Sequence, residues 1–179
     1  MRKIIILLGL ALSLAMGCEQ KTTSPEGTEA ATEKPSDPET RKTEVVALMD
    51  SFHSTLKNKK ANDFKNLLDP NGLYCGTDPT ETHNRDTYAQ EMAEFLNDPT
   101  IGTIAYTVDL RQIRVAEDGN SAVIVEQYKM DLVSPEIPWR LVSHAVKKDG
   151  VWILDFLSFT LVPTNAQQAL INNALHSKA

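Results

Sequence analysis

The sequence predicts an α+β domain in which helices come first and long antiparallel strands follow. Three observations carry this. Val45, Leu48, Met49, Phe52 and Leu56 recur at helical spacing. Two β-rich runs, 101–115 and 121–133, come later in the chain. Last, two apolar arms within residues 139–161 flank Asp149-Gly150, a pair suited to a two-residue type I′ turn because both central positions need positive φ. Neither arm alternates cleanly between apolar and polar residues, so both faces of this hairpin are expected to be covered, one of them by helices.

The chain opens differently. Arg2-Lys3 precedes an uncharged run, 4–16, of the length of a secretory h-region and too short to span a bilayer core of about 30 Å. It ends Leu14-Ala15-Met16-Gly17-Cys18, which resembles the lipobox of bacterial lipoproteins, with Ala15 where leucine is usual. The resemblance implies a signal peptide over 1–17 and a lipidated (palmitate-bearing) Cys18 as the mature N-terminus. An ordinary secretory signal cleaved after a small residue is the alternative. Each buried CH₂ contributes about 0.8 kcal/mol, so one acyl chain binds marginally and two or more anchor stably. By the same resemblance, Glu19 in place of a retention-favouring aspartate points to the outer membrane, facing the periplasm, rather than the inner.

Residues 18–40 then read as a lipidated cysteine and a disordered tether. From Glu19 on this stretch lacks aromatic and β-branched aliphatic side chains, so it cannot bury enough surface to offset its ordering entropy. Its r.m.s. reach would be roughly 25 Å. Residues 41–179 suffice for one domain with a core. The net charge of −6 and the lack of Lys/Arg clusters beyond Lys57-Asn58-Lys59-Lys60 argue against nucleic acid as a partner. With Cys18 lipidated, Cys75 stands alone and no internal disulfide can form; a buried structural thiol is favoured over a nucleophile.

Taken in order, the elements expected are as follows. A first helix covers 43–57. A short second helix, capped by Asn62 or Asp63, stops at Asp69-Pro70. An extended piece, 72–76, and a polar loop lead to a third helix over 85–97, capped by Asn84, with Tyr88, Met92, Phe95 and Leu96 inward. Strands over 101–115 and 121–133 and the hairpin complete the sheet, and Asn165 starts a terminal helix running towards His176. With Asp149-Gly150 as a two-residue loop, His144 falls opposite Asp155, and Val142/Leu157 share a face with that pair.

This order, together with Asp149-Gly150-Val151-Trp152, resembles the nuclear transport factor 2-like superfamily, which includes SnoaL-like and ketosteroid isomerase-like proteins. The resemblance implies a cone: a curved antiparallel sheet wrapped around the N-terminal helices, enclosing an apolar pocket. It does not fix function, because the scaffold hosts both enzymes and non-catalytic binding modules. In the ketosteroid isomerase-like branch a general-base aspartate ends the short strand after the second helix. Here that stretch reads Cys75-Gly76-Thr77-Asp78, and the acid is displaced.

No catalytic motif with a recognisable mechanism stands elsewhere, and Asp78, Glu81 and His83 are explained by turn chemistry, so neither a metal nor a cofactor is expected. The pocket-lining candidates are Phe52, Tyr106, Tyr128, Trp139, Trp152 and Phe156, with core filling as the plainer account of large side chains on strands. His144, Asp155 and His53 are weak catalytic candidates: the pair is a base and its orienter if it faces the cone, and a structural ion pair if it faces outward. The expectation is a lipid-anchored binding or accessory module of the envelope. The alternative is a small pocket enzyme, isomerase- or dehydratase-like, moving a proton on an apolar substrate. Expected partners are the membrane through Cys18 and a small apolar ligand or an envelope protein, with a homodimer left open.

Overall fold

The computed structural model describes residues 37–177; the expected signal peptide, Cys18 and most of the expected tether lie outside the described residues. The helix α1 spans Pro38–Lys57, starting five residues before the expected position. Proline at the first turn has no N–H to lose and its φ already suits a helix, and Glu39 complements the helix N-terminus. Its inward stripe, Val45, Leu48, Met49, Phe52 and Leu56, is buried as the spacing requires. A tight turn with Lys59 at positive φ leads to α2, Ala61–Asn66. Here the expectation fails: Lys60, without a side-chain cap, precedes the helix, and Asn62 and Asp63 lie inside it.

The next strand, β1, spans Leu68–Cys75 and so contains the Asp69-Pro70 expected to end a helix. Its ladder is irregular between Leu68 and Leu73, and a proline is tolerated where pairing is interrupted. A two-residue strand β2, Thr82–His83, pairs with it. The helix α3 spans Arg85–Asn97 with the Asn84 side chain accepting from the Thr87 N–H, both as expected.

Four further elements follow: β3 Val108–Val115, β4 Ser121–Met130, β5 Ser134–Lys148 and β6 Val151–Leu161, and then α4, Asn165–His176. Residues 101–107 are not a strand. The β3–β4 ladder ends at Val108↔Tyr128, and β4 itself turns back into β5 at Met130↔Ser134, leaving the preceding segment no partner. Ile104 and Tyr106 are buried there all the same.

The six strands form one curved, unclosed sheet in the order β2-β1-β6-β5-β4-β3. All neighbours are antiparallel except β1 and β6, which run parallel. The helices α1 and α3 cover its inner face, where Ile124, Tyr128, Leu141, Leu154 and Leu157 join the α1 stripe in a single core.

Asp149 and Gly150 both have positive φ, and Lys148 faces Val151 as the type I′ turn requires. The predicted register holds through Ala145↔Leu154 and then slips by one residue, with His144 facing Phe156 and Asp155 left as an extra residue in β6. This bulge changes which side chains point inward. Leu157, expected beside Val142 on the face of the His144–Asp155 pair, is instead fully buried in the core.

Candidate functional site

One end of the sheet, where β1, β4 and β6 finish and β5 begins, does not fill itself. Between it and the helices lies a cavity of about 320 Å³, within the lower range for small-molecule sites. Its walls are apolar: Leu56 of α1, Met92 and Phe95 of α3, Ile104 and Phe159 are among them. Trp139 and Phe159, from the paired strands β5 and β6, meet edge to face at 6.1 Å. Both reach the inner face because strand side chains alternate, and Phe159 does so only after the bulge at Asp155.

Polar groups in these walls are left without protein partners. The buried indole N–H of Trp139 donates to nothing, and the hydroxyls of Tyr88 and Tyr128 make no hydrogen bond among the described residues. Burial pushes both phenols above their ordinary pKa, so they remain protonated donors at neutral pH. Carboxylates stand at one side. Glu81 Oε2 accepts the backbone N–H groups of Thr77 and Asp78, and Glu91 Oε2 lies 3.1 Å from His83 Nε2. A Cβ on Gly76 would collide with the Glu81 carboxylate, so glycine is what lets that side chain fold back over the end of β1.

Behind this wall lies a second polar group set that the sequence reading did not assemble. His53 Nε2 donates to Glu126 Oε2 at 2.7 Å, and its Nδ1 accepts from the Tyr106 hydroxyl at 2.8 Å, the tautomer that satisfies every group. The other Glu126 oxygen takes the Arg111 Nε–H at 2.5 Å, and Arg111 also reaches Asp50 at 2.6 Å. Glu126 is fully buried. Desolvation lowers the affinity of Arg111 for its proton, but Asp50 and Glu126 outweigh it and hold the guanidinium charged. Burial raises the Tyr106 pKa, so that hydroxyl stays a donor to His53. Tyr106 stacks on Tyr128 at 4.8 Å, which separates this network from the cavity. The signal for Glu126 was present in β4: Ala122, Ile124 and Tyr128 face inward, and position 126 shares their phase.

The expected site residues therefore divide. Tyr128 and Trp139 line the cavity. Phe52 is core, packed against Phe64, and Tyr106 serves the His53 network. Trp152 is core and donates its indole N–H to Glu44. Phe156 follows the bulge and sits on the outer face, opposite His144 and Leu73, so it is not a wall of the cavity. His144 Nδ1 and Asp155 Oδ1 do meet, at 2.6 Å, but between the inward Ser143 and Ala145, on the sheet's outer face. The outward alternative is the one adopted, and the pair forms a structural link across the bulge. Both nitrogens of His53 are occupied, which removes it as a free base.

A model of the SnoaL-like domain matches residues 45–159, most of the chain. The chain belongs to the SnoaL-like family. Solved structures agree on the fold. A nuclear transport factor 2-like protein from Cytophaga hutchinsonii superposes with a TM-score of 0.57 at 15% identity, covering 68% of this chain and 98% of that one. An uncharacterised protein with a cystatin-like fold from Caulobacter vibrioides gives 0.61 at 18%, covering 73% and 95%. A nuclear transport factor 2-like protein of unknown function from Pseudomonas putida gives 0.63 at 9%, covering 73% and 92%. No curated protein matches the chain.

In this SnoaL-like domain the end of β1 brings Gly76 and Thr77, not an acid, to the cavity. Asp78 turns away to accept from the Thr80 hydroxyl and N–H, which hold its carboxyl below the usual range. Asp78, Glu81 and His83 are thus engaged separately, and among the described residues no three His, Cys, Asp or Glu side chains converge as metal ligands. Cys75, half-buried, pairs in the sheet between Thr82 and Ser158. No described helix is long and apolar enough to cross a membrane.

Proposed function

We propose that the SnoaL-like domain is a non-catalytic binding module that takes a small apolar ligand into this cavity, and that Cys18 carries a lipid holding it at the bacterial envelope, at the outer membrane facing the periplasm. The observation that carries the binding reading is the orphaned indole N–H of Trp139 in the aromatic part of a mainly apolar wall. A buried donor without a partner costs about 1–3 kcal/mol, a cost that a ligand acceptor would remove. Gly76 and Thr77 in place of an acid directly after β1, the tie of the Glu81 carboxylate to the Thr77 and Asp78 N–H groups, and the full occupancy of His53 favour binding over proton transfer. A neutral fluorescent naphthylamine probe should brighten on adding the protein, and Ile104→Trp, which fills the cavity, should abolish the response. An equal response from wild type and variant would overturn the reading.

The anchor is tested separately. Cys18→Ala should abolish incorporation of radiolabelled palmitate; undiminished labelling would remove lipidation from the proposal. A second copy of the chain or an envelope partner would meet the domain on the outer sheet face, where Leu73, Leu110 and Val123 are 40–47% exposed.

A further inference from the structure

The charged groups in the cavity wall are of one kind. Glu81 and Glu91 line it together with His83, and no lysine or arginine contributes. Two carboxylates against at most one imidazolium leave this side of the cavity negative in either state of the ring. Glu81 uses only Oε2 in holding the Thr77 and Asp78 N–H groups, so its Oε1 remains an unused acceptor. The Glu91 side chain is half-exposed, and its contact with His83 Nε2 lacks the alignment of a hydrogen bond. Free acceptors therefore gather on this side, whereas the unpaired donors, the Trp139 indole N–H and the Tyr88 and Tyr128 hydroxyls, stand among the cavity's aromatic residues.

We infer that the cavity selects apolar ligands bearing a protonated amine over those bearing a carboxylate. The inference rests on the pocket-binding reading above and specifies the ligand class. A protonated amine brings several N–H donors and a positive charge to the Glu81 and Glu91 oxygens, forming charge-assisted hydrogen bonds. A carboxylate would bring a third negative charge beside the two already there, with the His83 ring as the one candidate counter-charge in the wall. A hydrocarbon body on either ligand would gain equally from Met92, Phe95 and Ile104, so the head group decides.

The test uses three ligands of one chain length, octylamine, octanol and octanoate, titrated calorimetrically into the mature protein at pH 7 below their micellar concentrations. Octylamine should bind at least tenfold more tightly than octanoate, with octanol between them. Glu91→Gln, which keeps the shape and removes the charge, should weaken octylamine at least threefold and leave octanol within twofold. Octanoate binding as tightly as octylamine would overturn the selectivity while leaving the pocket reading in place. Equal weakening of octylamine and octanol by Glu91→Gln would show that the carboxylate does not read the head group, and overturns it too. Binding of none of the three would overturn the pocket reading itself.

Discussion

Asp69 shows how far a single side chain departs from what its neighbours in sequence suggest. Read as a helix stop, it is a buried carboxylate in β1, bonded by Oδ1 to the Asn71 N–H and paired by Oδ2 with Lys148 of β5. Burial alone would raise its pKa, but the Lys148 ammonium and the Asn71 N–H together hold it below the ordinary value. A depressed folded-state pKa contributes stability that is complete above the unfolded value of about 3.9 and disappears as pH falls through the folded one. Asp69→Asn should therefore melt below wild type at pH 7, with the gap closing below about pH 4. A gap constant down to pH 2 would show that the pair does not titrate with folding. Other residues were half legible. Tyr128 and Trp139 line the cavity as their β-strand positions suggested, whereas the partners of His53 lie 53 and 73 residues away, beyond the reach of local spacing.

At the scale of elements, punctuation was readable where its chemistry is local. Asn84 and the 85–97 pattern place α3, and Asp149-Gly150 places the last hairpin, because cap and turn depend on a few adjacent residues. The two-residue β2 and the unpaired stretch 101–107 depend on which strand lies alongside, and that is not written locally, whereas the start of α1 is marked by Pro38 and Glu39 before its apolar stripe begins. Two substitutions contrast the resulting elements. Trp152→Ala removes a buried aromatic whose N–H meets Glu44, and should cost about 3–5 kcal/mol in a urea melt. A loss under about 1 kcal/mol would mean that β6 does not anchor the core. The helix α4 is the opposite case. It is well capped by Thr164 and Gln167 yet buries no residue, and Leu170 and Leu175 stay 68% and 65% exposed. Leu170→Ala and Leu175→Ala should each change stability by no more than about 0.5 kcal/mol. A loss above about 2 kcal/mol would show that α4 packs on the domain in solution.

For the whole molecule, the mixed α+β class follows from element order, and the curved sheet over N-terminal helices from the family resemblance that this order carries, while the parallel β1–β6 pairing follows from neither. Every buried core residue among those described lies between Val45 and Leu157. A chain beginning at Asp37 should therefore melt within about 5 °C of one beginning at Cys18, an interval of roughly 1–2 kcal/mol at this size. A larger drop would assign the preceding residues a share in the fold.

The extra residue in β6 also makes the strand unequal in its tolerance of lost codons. Deleting Asp155 would remove the bulge and leave Leu154 opposite Ala145 and Phe156 opposite His144, so Leu157 and Phe159 would keep facing the core and the cavity. Deleting Ile153 instead would carry Leu154 to the outer face and Asp155 into the core beside Ala145. A single-residue deletion scan of β6 should thus tolerate loss at the bulge itself, at Asp155 or Phe156, and at Asp155 the change forfeits little more than the partly exposed His144 link.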